Sequence, residues 1–458
     1  MKAKKAARYC SMSRWCPFHR KKSQRPFLGP RTELSSITMT HRIKTLLIVS
    51  LLFTCLPISA GELLRVKPEA VGLDSAKLEK VDKVVNGLIA ANRLAGATVI
   101  ILRNAKVAYF EAFGQMDREK KKPMKKDTIF RIYSMSKAIT TVAAMMLWEE
   151  KKFGLDDPLS KHLPEYRDPK VWTEKGEVPA RREATIRDLM RHTAGMVYGH
   201  SGNTPVHKAT EKACGFKKGF PRNSLAAVSK KLGSVPLLFH PGDDWVYGIS
   251  IDVLGRLVEV KGGMPFDKFL EERIFRPLDM KDTGFFVPAS KIDRFAANYT
   301  TDGKGKLTLL DDPRKSPYLQ NPAFLSGGGG LVSTTRDYAR FLQLIADGGQ
   351  LQKTRLLKKK TVALMLRNHV PPKTMPIAFG EQERHGVGFG LGFSIRTARS
   401  DWDSVGRLGE YGWGGAASTH YWTSPKDKLV VVTMEQTMPY DFMLEFALKG
   451  VIYDAIIK

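Results

Sequence analysis

Strand-like segments stand at the two ends of this chain, and helical ones fill the middle. Near the start, Ala97–Leu102 and Val107–Phe113 are apolar, β-branched-rich runs separated by Arg103-Asn104-Ala105-Lys106, the signature of a hairpin. Near the end, Val387–Ile395, Ser404–Gly409, Ser418–Thr423 and Lys428–Met434 read as further strands. Between them lie helical patterns at Ile186–Arg191, Asn223–Leu232, Ile249–Lys261, Pro265–Phe275, Thr335–Asp347 and Lys359–Arg367. A hairpin alone is marginally stable. The arrangement that buries both groups is one antiparallel sheet built from both termini. The helices Ser75–Asn92 and Asp441–Ile457 would cover it, with a helical region inserted at roughly 150–380. The expected class is α+β.

The stretch Phe130-Arg131-Ile132-Tyr133-Ser134-Met135-Ser136-Lys137 lies where these regions should meet. Thr128–Ile132 suits a short buried strand. From Ala138 the apolar residues Ile139, Val142, Ala143, Met146 and Leu147 recur at helical spacing, so a helix runs on to Glu150. Ser134 and Lys137 fall in its first turn, three residues apart and therefore on one face. A helix N-terminus adds unpaired N–H groups and a positive dipole end, which favour an activated Ser134. Ser-x-x-Lys occurs once in the chain. Alone it is weak evidence, since a capping Ser followed by a solvated Lys looks the same.

The N-terminus reads as a targeting segment. His41, Arg42 and Lys44 precede an apolar run, Leu46–Ile58, which ends in Ile58-Ser59-Ala60. The pattern fits a signal peptide spanning 39–60 and cleaved after Ala60, giving a secreted or periplasmic protein. Residues 1–38 are then an N-terminal extension or a mis-assigned start before Met39. A less favoured reading is a lipoprotein anchored through Cys55, because Thr54 is a poor residue before a lipidated Cys. No apolar run is long enough for a spanning helix. The net charge is +28, much of it in this leader, and the remaining Lys and Arg are scattered. No aromatic-interleaved basic patch or nucleic-acid motif occurs, so no nucleic-acid partner is expected. Attraction to anionic envelope surfaces is consistent with the charge. Of the cysteines, Cys10, Cys16 and Cys55 lie in the leader, and Cys214 alone can form no internal disulfide. No Cys/His zinc spacing is present, and neither metal nor cofactor is expected.

Two other stretches stand out. In Phe239-His240-Pro241-Gly242-Asp243-Asp244-Trp245-Val246-Tyr247-Gly248-Ile249, a Pro-Gly turn leads Tyr247 to the mouth of the next helix. In Tyr411-Gly412-Trp413-Gly414-Gly415-Ala416, small residues flank an indole at the start of a C-terminal strand. The order and spacing of Ser134/Lys137, Tyr247 and Trp413-Gly414-Gly415 resemble the serine β-lactamase and penicillin-binding-protein superfamily, in the class C branch that includes the family VIII carboxylesterases. Supporting stretches are Ile186–Met196 with its His192-Thr193-Ala194-Gly195 turn, Phe239–Gly242, Arg276–Thr283, and Gly327–Gly330 followed by Leu331–Thr334. The resemblance covers roughly residues 65–456 and implies a β-lactamase-like fold. It also implies Ser134 as acylated nucleophile, Lys137 as the group that holds and helps deprotonate it, and Tyr247 as general base. The N–H groups of Ser134 and Ala416 would form an oxyanion hole.

Two positions depart from the β-lactamase pattern. Ile249 stands where many members have Asn, and Trp413-Gly414-Gly415 replaces Lys-Thr-Gly. An Ile cannot bond a substrate amide, and Trp offers an apolar face and one N–H where the family's cation would hold a carboxylate. Trp413, Gly414, Gly415 and Ile249 would therefore shape a site for a neutral, fairly apolar acyl group, unless Arg407 or His420 supplies charge from elsewhere. The expected partner is a small-molecule ester or amide, and the expected activity is carboxylic-ester hydrolysis. The alternatives are a β-lactamase or D-amino-acid peptidase, and a non-catalytic binding protein. Gly199-His200-Ser201-Gly202-Asn203 falls short of the α/β-hydrolase G-x-S-x-G by its last residue.

Overall fold

A computed structural model describes residues 61–216, 221–301 and 306–457. The leader, with its proposed signal peptide and Cys55, lies outside the described residues. The described chain falls in one compact unit.

Its centre is an eight-stranded antiparallel sheet. In spatial order the strands are Val387–Phe389, Ser394–Arg396, Tyr411–Gly414, His420–Ser424, Leu429–Met434, β1 (Gly96–Arg103), β2 (Lys106–Asp117) and β3 (Lys122–Pro123). The N-terminal hairpin docks directly on the last C-terminal strand, with Ile100 opposite Val432 and Ile101 opposite Val431. This junction is buried on both faces, which is why Leu429–Met434 is apolar along most of its length rather than alternating. Val99, Ile101, Leu429 and Val431 face α1 (Ser75–Ala90) and the helix Met443–Asp454. Ile100, Leu102, Val430 and Val432 face the larger core of the helical region. Each such side chain stabilises the fold by about 1.5–3 kcal/mol on burial. α1 starts where Asp74 accepts from the Lys77 N–H, and its buried stripe is Leu78, Val81 and Val85. Among the described residues no helix is long and apolar enough to cross a membrane.

α2 (Ser136–Glu149) is buried from Ser136 through Leu147, with no solvent face. It runs through the core, and its first turn is braced from two sides. The Leu331 N–H donates to Ser136 Oγ (3.1 Å), and Thr140 Oγ1 donates to the Gly327 carbonyl (2.8 Å). The buried Tyr338 hydroxyl, on the helix Thr335–Ala346, donates to the Met135 carbonyl (2.9 Å).

Several expected elements differ. The strand before Ser134 exists as Ile129–Arg131, but it pairs with Val332–Thr334 in a separate small sheet. Val387–Ile395 is not one strand; it is a hairpin turning at 390–393. Its glycines serve separate close contacts: a Cβ at Gly390 would stand 2.2 Å from the Met365 carbonyl, and Gly392, at φ +85°, abuts Thr141. Ser404–Gly409 forms no strand; the next strand after Ser394–Arg396 is Tyr411–Gly414, which lies inside the sheet between Ser394–Arg396 and His420–Ser424. The Pro265–Phe275 helix is Phe266–Leu270 continued by a wide π turn, and Pro205–Cys214 is a helix that the apolar pattern does not announce.

Candidate active site

Ser134 lies in a tight helical turn, Tyr133–Met135, that feeds α2. Tyr133 holds φ +40°, in the left-handed region that a residue with a Cβ seldom enters. Strain of this kind persists only where surrounding structure fixes it. Here the fixing contacts are the Tyr338 bond to Met135 and the approach of Gly415, whose missing Cβ would stand 2.4 Å from the Ile132 carbonyl. The turn leaves Ser134 half-buried and Lys137 fully buried. Lys137 Nζ donates to Ser134 Oγ (3.2 Å), to the Tyr198 hydroxyl (3.0 Å) and to the Gly328 carbonyl (2.6 Å). The expected Ser134–Lys137 contact is thus present, and the Lys137 nitrogen has two further oxygen partners.

Tyr247 lies beside this pair: Lys137 Nζ stands 4.6 Å from its ring centroid. Its hydroxyl receives the Trp413 indole N–H (3.2 Å), so Tyr247 and Trp413 meet as well. Among the described residues the Tyr247 oxygen has no hydrogen bond to Ser134 or Lys137. The hydroxyl bonded to Lys137 is that of Tyr198, which the sequence reading missed. Tyr198 sits just past the His192–Gly195 turn, with no periodicity to mark it. It donates onward to Asp252 Oδ2 (3.5 Å), while Asp252 Oδ1 accepts from Ser326 Oγ (2.5 Å) and the Gly328 N–H (3.1 Å). Asp252 is buried. Burial pushes its carboxyl above the usual range, and the Lys137 charge opposes that shift. Burial, and then Asp252, hold the Tyr198 hydroxyl well above the ordinary phenol value, so Tyr198 stays a phenol. The outcome is a chain of contacts running inward from half-buried Ser134 through Lys137 and Tyr198 to buried Asp252.

The four-glycine run has a local reason. A Cβ at Gly328 would fall 2.3 Å from Asp252 Oδ2 and 2.7 Å from the Tyr198 hydroxyl. A Cβ at Gly327 would meet the Ile251 carbonyl at 2.8 Å. Only a bare backbone can pass between α2 and the helix Ser250–Gly262 while presenting the Gly328 carbonyl to Lys137.

The His192–Gly195 turn supports Tyr247 from behind. The helix Ile186–Met190 is capped by Thr185 and Asp188 in a reciprocal box. Buried Asp188 also binds Arg182 (2.6 Å), Arg191 (2.8 Å) and Thr193 Oγ1 (2.8 Å). His192, at φ +62°, is fully buried with its ring 4.8 Å from that of Tyr247. Burial first, and Lys137 second, keep this imidazole well below its ordinary value, hence neutral.

Of the remaining expected site residues, Ala416 occupies the turn after Tyr411–Gly414. Gly415 seats that turn against the Ile132 backbone, beside the Ser134 turn, and Gly414 gives way to the Tyr440 ring. Ile249 differs from the expectation: it is 1% exposed and belongs to the large core, so it packs rather than presenting to a substrate. Arg407 and His420 are committed elsewhere: Arg407 lies over the Tyr453 ring, and buried His420 pairs with Glu445 (3.1 Å) and bonds Tyr440. Among the described residues no group of His, Cys, Asp or Glu is placed to hold a metal.

Comparison with known proteins bears on the family and the fold. The family model described as Beta-lactamase matches residues 81–449. Protein Rv1367c of Mycobacterium tuberculosis is 33% identical over 366 residues, covering 76% of this chain and 87% of that protein. Esterase EstB of Burkholderia gladioli is 32% identical over 307 residues, covering 63% of this chain and 75% of its own length. Among solved structures, EstCE1, described as a hydrolase with promiscuous acyltransferase activity, superposes with a TM-score of 0.71 at 28% identity, covering 83% of this chain and 99% of that one. A sheet assembled from both termini, a hydrogen-bonded Ser–Lys pair at the head of α2 and these relatives lead to one assignment: the chain belongs to the beta-lactamase family and is a serine hydrolase of that fold.

Proposed function

We propose that this protein cleaves carboxylic esters through an acyl-enzyme on Ser134. Ser134 Oγ attacks the ester carbonyl carbon, and the carbonyl oxygen takes up the negative charge against the N–H groups of Ser134 and Ala416. Lys137, 3.2 Å from the nucleophile, holds and polarises the hydroxyl. Burial and Asp252 keep Tyr198 a phenol. Tyr247, acting as the phenolate, receives the Ser134 proton and then, as the phenol, passes it to the departing alkoxide, which restores the phenolate. The alcohol leaves, and water delivered along the same path hydrolyses the acyl group and restores Ser134. Tyr198 and Asp252 are positioning residues, acting through Lys137.

The observation that carries the ester reading is the indole of Trp413 bonded to Tyr247, in the place where the resembling β-lactamases carry a cation. Relatives named as an esterase and as a hydrolase support it. A second reading, D-alanyl-D-alanine peptidase, is favoured by a relative from Escherichia coli K12 named putative D-alanyl-D-alanine carboxypeptidase, 24% identical over 405 residues. The basic flank, apolar run and Ser59-Ala60 end support export to the periplasm or beyond, where either substrate is met.

A substrate panel separates the two. Turnover of p-nitrophenyl butyrate, with nitrocefin and a D-Ala-D-Ala peptide turned over at least about a hundredfold less efficiently, is the expected result. Efficient nitrocefin or peptide turnover with inert esters would reverse the assignment.

A further inference from the structure

Arg384 ends the short hairpin Ile377–Phe379/Gln382–Arg384, which packs beside the catalytic aromatic residues. The Phe379 ring lies 5.2 Å from that of Tyr247 and 5.6 Å from that of Trp413. The Arg384 guanidinium carbon stands 3.9 Å from the Phe379 centroid, 5.0 Å from Trp402, 5.1 Å from Phe442 and 5.5 Å from Trp413. Only 9% of the residue is exposed. Among the described residues its Nε has no hydrogen-bond partner, and no carboxylate forms an ion pair with it. A neighbouring acid, Glu445, is already paired with Lys449 (3.2 Å) and His420 (3.1 Å).

A guanidinium removed from water without a counter-ion is costly, and aromatic faces offset only part of that cost. Burial accordingly lowers the Arg384 guanidinium from its ordinary value. The group keeps a planar fork of donors that matches a carboxylate. The Trp413 ring neighbours both Arg384, at 5.5 Å, and Tyr247, at 5.3 Å, and Tyr247 has Lys137 as a further neighbour.

We propose that Arg384 binds a carboxylate on the substrate, so that the preferred esters carry a free acid group in the acyl chain or the leaving group. Trp413 and Phe379 then link the reacting centre to the anion-binding arginine, since each ring neighbours both Tyr247 and Arg384. The carboxylate recognition lost at the Trp413-Gly414-Gly415 position is restored from a different element. This inference rests on the ester-hydrolase reading for its substrate class, while the arginine site itself can be read without turnover.

The test uses two matched pairs. Mono-4-nitrophenyl glutarate is compared with its methyl ester for an acyl-side carboxylate, and 3-carboxyphenyl butyrate with its methyl ester for a leaving-group carboxylate. In at least one pair the wild type should favour the free acid by about tenfold or more in kcat/KM, through KM. Arg384→Gln should abolish that preference, and Arg384→Lys should retain part of it. Separately, millimolar glutarate should raise the Tm of wild type and not of Arg384→Gln. Turnover with acid-to-methyl-ester ratios that are the same in wild type and Arg384→Gln would overturn the inference and leave the esterase reading standing; the guanidinium would then be a structural filler of its aromatic cage. A glutarate Tm shift that depends on Arg384, with no ester turned over, would uphold the anion site and remove the esterase reading.

Discussion

Ser134→Ala is expected to lose ester turnover by on the order of 10⁴-fold or more, with little change in stability. The two parts of this expectation have different origins. The chemical loss follows because no second nucleophile is built into the site: the Lys137 amine is tied by hydrogen bonds to Tyr198 and Gly328 on its other sides. The small stability effect follows because Ser134 is half-buried and contributes one of three acceptors to Lys137. With Tyr198 and the Gly328 carbonyl in place, the buried ammonium remains held. Substrate affinity should be kept or improved, since alanine removes only the hydroxyl. A variant that retained more than about a tenth of wild-type turnover would place the nucleophile elsewhere.

Asp188→Ala should have the largest effect on stability, about 3 kcal/mol or more, measured as a fall in the denaturant midpoint. The carboxylate is fully buried and accepts from Arg182, Arg191, the Thr185 N–H and hydroxyl, and Thr193. Its loss removes one half of the capping box of the helix Ile186–Met190, the bond from the Thr185 N–H, and leaves Arg191, itself mostly buried, without its counter-charge. Because Thr193 adjoins His192 under the Tyr247 ring, turnover should fall too, though less steeply than in Ser134→Ala. The pH dependence has a defined sign. Burial alone would raise the Asp188 carboxyl, but Arg182, the Thr185 N–H and Arg191 outweigh it and hold the group at about 2. Folded-state depression means that the contribution is fully present above the unfolded value of about 4 and is lost as the pH falls towards about 2. The gap in stability between wild type and Asp188→Ala should therefore narrow in that window. A constant gap down to pH 2 would show that packing, not charge, carries the site.

How far the sequence reaches depends on whether a feature is local. Ser134 and Lys137 are readable because three residues on a helix define one face, and the helix itself is announced by Ile139, Val142, Met146 and Leu147. The two-ended sheet is readable because strand runs cluster at both ends and cannot be buried separately. Asp252 is opaque. A lone acid near the start of a helix looks like a solvated or dipole-complementing residue, and only the packing of Ser250–Gly262 against α2 reveals it as buried. Tyr198 is opaque for the same reason. Val387–Ile395 reads as one strand because the glycines that fold it into a hairpin answer neighbours elsewhere in the chain, Met365 for Gly390 and Thr141 for Gly392. Arg384 follows Gly380-Glu381-Gln382-Glu383, a polar turn where a charge reads as solvated; four aromatic rings from separate parts of the chain enclose it.

The assignment of Ser134 as the acylated residue is tested most directly by covalent capture. Wild-type protein would be treated with a fluorophosphonate and the adduct located by peptide mapping with mass spectrometry. The structure leads us to expect one adduct, on the peptide containing Ser134, absent from Ser134→Ala and strongly slowed in Lys137→Ala. An adduct on another residue, or equal labelling of wild type and Ser134→Ala, would contradict it.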